Sequence, residues 1–147
     1  MTATMLVNCK TSQDYLTPYE FEGPIISFGT GGGFSGKVNQ YTLLSNGQLF
    51  KGTNYEGNVT VMDKIDSDQC DQIFSNYSLL GLNKLKIDNP GNMYFFVKMK
   101  EGTEENKLVW GGTDVEAPDA LKLYHKILMA LTAPNNNKSI KAPAAKM

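Results

Sequence analysis

The stretch Gly29-Thr30-Gly31-Gly32-Gly33-Phe34-Ser35-Gly36-Lys37-Val38 decides the fold, because it reads either as a phosphate cradle or as a bend between strands. Gly31, Gly33 and Gly36 satisfy the pattern G-x-G-x-x-G. A dinucleotide fingerprint needs a helix straight afterwards, whose N-terminal amides hold the pyrophosphate. Here the chain continues Val38-Asn39-Gln40-Tyr41-Thr42-Leu43-Leu44, which carries strand residues. A protein-kinase glycine loop does lie between two strands, but a kinase also needs His-Arg-Asp and Asp-Phe-Gly motifs. With no arginine and one histidine in the chain, those motifs are missing. The run is a bend joining β-segments, and no cofactor is expected.

Glycines at this density let the backbone take positive φ and approach another surface closely. Phe34 is the one large side chain among them. It needs covering, either by the protein's own core or by a partner. Gly31, Gly32, Gly33, Phe34, Ser35 and Gly36 are therefore the candidate partner-contact loop, with a tight structural turn as the competing reading.

Working outward, Pro24 to Phe28 is a short apolar run that reads as the first strand. Lys37 to Leu44 follows as the second, and Asn46-Gly47 is a strong hairpin signal returning through Gln48-Leu49-Phe50-Lys51. Val59 to Asp63 alternates with period two, as a half-buried strand does. Asp66 or Ser67 then caps a helix in which Cys70, Ile73, Phe74 and Tyr77 share one face, and Gly81 stops it. After the turn Asn89-Pro90-Gly91-Asn92, Met93 to Met99 is apolar on both faces and reads as a central strand. The charged turn Glu101 to Asn106 leads into Lys107 to Trp110, with Trp110 and the aromatics of 93–97 expected in the core. Pro118 opens a last helix whose buried stripe is Leu121, Tyr124, Ile127, Leu128 and Leu131. The order β-β-β-β-α-β-β-α makes an α+β domain, an antiparallel sheet of about six strands with two helices. The expected boundaries are a leader and linker over 1–22, one domain over 23–132, and a disordered tail over 133–147.

Composition narrows the function. Among 147 residues, 41% are hydrophobic and 20% charged, the balance of a globular chain, and no run is long enough to span a membrane. Formal net charge is −1, which supplies no field to draw in nucleic acid. All fourteen basic residues are lysine, so the guanidinium fork that grips phosphate and guanine is lacking. A nucleic-acid partner is not expected.

Nor do the reactive residues assemble into a catalytic set, and no enzyme activity is expected. His125 falls beside the last helix's buried stripe and reads as exposed, with no serine or cysteine in an elbow-like context to serve. Asp63, Asp66, Asp68 and Asp71 lack the central Gly and terminal Glu of a calcium loop, so they read as capping residues and no metal is expected. Cys70 reads as a small buried hydrophobe.

Two resemblances bear on location and role. Met5-Leu6-Val7-Asn8-Cys9 followed by Lys10-Thr11-Ser12-Gln13 resembles the end of a bacterial lipoprotein signal and its polar tether. That implies a lipid anchor at Cys9 and a place in the cell envelope or periplasm; the alternative is an ordinary leader on a cytoplasmic protein. Ser27 to Gly36, Asn46-Gly47 and Leu49-Phe50-Lys51, with Asn89 to Tyr94 and Val109-Trp110-Gly111, resemble an uncharacterised family of small Bacteroidota envelope proteins. Gly32-Gly33-Phe34-Ser35-Gly36 and the element order are more distantly similar to emfourin-type inhibitors of thermolysin-like metallopeptidases. These resemblances imply a non-catalytic, protein-binding envelope module, inhibitor-like and acting through the glycine loop on a protein partner such as a peptidase. The alternatives are a purely structural envelope lipoprotein, or a small carboxylate-dependent enzyme.

Overall fold

The computed structural model describes residues 17–18, 20–34, 36–52 and 60–133. Six strands form one antiparallel sheet: β1 (Ile25–Gly32), β2 (Val38–Leu44), β3 (Leu49–Lys51), β4 (Thr60–Val61), β5 (Met93–Glu101) and β6 (Glu104–Trp110). Helix α1 (Ser67–Leu79) follows β4, and α2 (Asp119–Ala130) follows β6. The spatial order is β4-β3-β2-β1-β5-β6, so the first strand lies at the centre, between β2 and the strand that follows the first helix. This is the α+β architecture expected from the order of elements.

Local chemistry accounts for each element. Asp66 caps α1, its carboxylate accepting from the amides of Asp68 and Gln69 at 3.1 and 3.3 Å. Cys70, Ile73 and Tyr77 turn inward as their spacing requires, and Gly81 takes the left-handed conformation just past the helix end. The Asn46-Gly47 hairpin closes through Leu44 and Gln48, with Gly47 at φ 99°. The charged turn proves shorter than expected. β5 and β6 run to Glu101 and from Glu104, leaving Gly102 and Thr103 between them.

Both helices cover one face of the sheet. Ile26, Phe28, Leu43, Leu49, Val97, Leu108 and Trp110 form one core with Cys70, Ile73, Tyr77, Leu121, Tyr124 and Leu128. Strand alternation sends Ile25, Leu44 and Phe50 to the opposite face, where Phe21 packs on them. Phe21 lies within the 1–22 segment that the sequence assigns to leader and linker.

Three differences have physical causes. Within the alternating run at Val59 to Asp63, strand is seen at Thr60 and Val61, which pair with Lys51 and Phe50 of the short β3; Val59 lies outside the described residues. In α2, His125 is buried and Ile127 is exposed, the reverse of expectation. The inward face follows Leu121, Tyr124, His125 and Leu128, an i, i+3, i+4, i+7 set in which the histidine holds an apolar position. Third, β1 runs through Gly32 rather than ending at Phe28, so half of the expected loop is strand. At the sheet margins, β4 has two residues, and β6 is flanked by one parallel bridge from Asp88 to Val109.

Candidate functional site at the glycine turn

The glycine run divides into a strand part and a turn part. Gly31 pairs with Val38 on one side and Tyr94 on the other, and Gly32 pairs with Met93. These two belong to the sheet and are not free loop. Bare backbone is needed at Gly32, where a Cβ would run into the Asn92 carbonyl, whereas one on Gly31 would meet the outer end of the Tyr94 ring.

The turn begins at Gly33 and is held by three backbone bonds. The Gly33 amide donates to the Asn92 carbonyl at 2.8 Å, Gly32 to Lys37 at 3.2 Å, and Gly36 to Gly33 at 3.2 Å. Gly32, Gly33 and Gly36 have φ of 92°, 83° and 68°, values that suit only glycine at low cost. Asn92 is itself braced, because Asn89 takes the Gly112 amide on its carbonyl and gives its own amide to Val109. The Asn89–Asn92 turn therefore links the end of β6 to the turn after β1.

Phe34 sits on this turn with its ring fully exposed. Val38, opening β2, and Met93, opening β5, are also exposed at the same end of the sheet. Three apolar side chains thus project from one end of the two central strand pairs. Ser35, Cys9 and the 134–147 portion of the expected tail lie outside the described residues.

Behind the turn, His125 reaches from α2 to the centre of the sheet. Its Nε2 donates to the carbonyl of Gly29 at 3.0 Å, which fixes the neutral ring with its proton on Nε2. The ring stands edge-on to Trp110 and Phe95, with centroids 5.2 and 5.6 Å away. Burial lowers its pKa from the ordinary histidine value, and the Gly29 bond opposes that only in part. Sequence reasoning missed this residue; the signal available was its i+4 spacing from Leu121.

The remaining reactive groups are set in structural roles. The Cys70 thiol is buried, its Sγ 3.5 Å from the Leu44 carbonyl, and burial with the nearby Asp71 pushes its pKa up. Of the acidic cluster, Asp66 caps the helix and Asp68 sits in its first turn. Among the described residues no group of three or more His, Cys, Asp or Glu is placed to hold a metal ion. Strand β2, not a helix, follows Gly36, so the turn does not lead into a helix N-terminus. Among the described residues no helix is long and apolar enough to cross a membrane.

No protein-family model matches the chain, and no curated protein matches it either.

Proposed function

We propose that this chain is a non-catalytic protein-binding module of the cell envelope, tethered through Cys9, that engages a protein partner through the β1–β2 turn. The observation that carries the reading is Phe34, a fully exposed aromatic on a turn held by backbone hydrogen bonds. A ring presented by a pre-formed turn loses little freedom on binding and gains the burial of its whole surface. Fully desolvated in a partner's apolar pocket, it would contribute about 2 kcal/mol or more. Val38 and Met93 add exposed apolar surface at the same end of the sheet. His125 is enclosed by aromatic rings and Cys70 is buried, so neither is presented to a substrate. The peptidase as partner, and the envelope as location, follow from the sequence resemblances.

The test is Phe34→Ala together with a photo-crosslinking residue at position 34 in cells. The expected result is one dominant crosslinked protein, binding weakened about thirtyfold or more in the alanine variant, and an unchanged melting temperature. A melting temperature that drops steeply would make Phe34 part of the core and overturn the reading, as would unchanged binding. Inhibition of thermolysin by the intact chain, and its loss in the variant, checks the peptidase assignment separately.

A further inference from the structure

The sheet has a second end, away from Phe34, and a groove of about 560 Å³ opens there between α1 and the β5–β6 hairpin. Its size lies in the range of ligand clefts. Its floor carries apolar surface from Phe74 and Met99 over the buried Tyr77, while most of the other lining side chains are polar. The Asn106 side-chain amide pins that floor by donating to the Tyr77 hydroxyl at 2.7 Å and to the Leu82 carbonyl at 3.1 Å.

The wall is unusual. Glu101 and Glu104 are direct partners across the hairpin, and like charges placed opposite one another destabilise a strand pair. By alternation both lie on the face that carries Met99 and Asn106, toward the groove. Neither forms an ion pair among the described residues; the neighbouring Glu105 is the one that meets Lys98, at 3.5 Å. The last turn of α1 also ends at this groove without a basic residue, so its partial negative charge is not offset. Lys86 is the one cation on the lining.

We infer that this groove binds a basic peptide segment of a partner, with a lysine or arginine cation between Glu101 and Glu104 and a neighbouring apolar side chain on Phe74 and Met99. The cation relieves the repulsion between the two carboxylates and meets the helix end, while the floor rewards a residue that a bare ion does not have. Phe34 lies at the other end of β1 and β5, so this site stands independently of the function proposed above.

The test titrates the full chain, labelled with ¹⁵N, with the peptide acetyl-Leu-Lys-Ala-Leu-Lys-Ala-amide. Saturable shifts are expected at the amides of Ser75, Ser78, Glu104 and Asn106. The double variant Glu101→Gln/Glu104→Gln keeps shape and removes the repulsion, so it folds at least as well and binds about fivefold to tenfold more weakly. Acetylating the peptide's lysines has the same effect, and Phe34→Ala has none. The inference is overturned by an absence of saturable shifts, by equal affinity of the double variant, or by 1,5-diaminopentane binding as tightly as the peptide. Shifts centred on Asp66 to Asp71 instead also overturn it.

Discussion

The division of the glycine run into strand and turn predicts that chemically identical substitutions a few residues apart differ widely in cost. Gly36→Ala places a methyl where nothing lies within 4 Å, so only the backbone conformation at φ 68° is penalised. That penalty is about 1 kcal/mol. Gly32→Ala incurs a similar backbone cost at φ 92°, and its Cβ also meets the Asn92 carbonyl. Displacing that carbonyl breaks the bond it accepts from the Gly33 amide at 2.8 Å, which adds about 1 to 2 kcal/mol. The sum for Gly32→Ala is about 2 to 3 kcal/mol, or roughly 10 °C in melting temperature for a domain of this size. The assay is urea unfolding of both variants followed by Trp110 fluorescence, with thermal melts alongside. Equal costs at the two positions would refute the reasoning, since they would mean that Gly32 is as unconstrained as a free turn.

Two further outcomes follow from single side chains. His125 has its pKa lowered in the folded state, so as pH falls below about 6.5 the unfolded chain takes up a proton that the native chain resists. Stability is level above that pH and declines below it, and His125→Gln flattens the decline in chemical unfolding curves collected across the range. Asp66→Ala removes the cap of α1 and lowers stability by about 1 kcal/mol, with circular dichroism showing earlier loss of helix on heating.

Much of the fold was legible because its signals are local. The capping of α1, the Asn46-Gly47 hairpin and the Pro118 start of α2 each depend on a few adjacent residues, and each stands where it was expected. The interior position of β5 was readable from its apolar residues on both faces. The failures involve distant partners. Whether Gly31 and Gly32 belong to a loop or a strand depends on β2 and β5, whose partner residues lie from seven to more than sixty positions along the chain. His125 reads as exposed because it falls beside the stripe drawn through Ile127, while its hydrogen-bond partner is a main-chain carbonyl ninety-six residues away. The candidate loop was visible, and the exposure of Phe34 was not, since composition does not say which way a ring points. The opposed pair Glu101 and Glu104 was likewise hidden until the turn length fixed the register.

The margins of the sheet bear on how the protein behaves when crowded. A strand lying unpaired at a border invites another chain to join it and so seeds clumping. Here one border ends in a two-residue strand, too brief to template an extension. The opposite border carries Glu104, Glu105 and Lys107 along its length and is closed near its end by Asp88. Among the described residues, neither border offers a long bare strand for a second chain to extend.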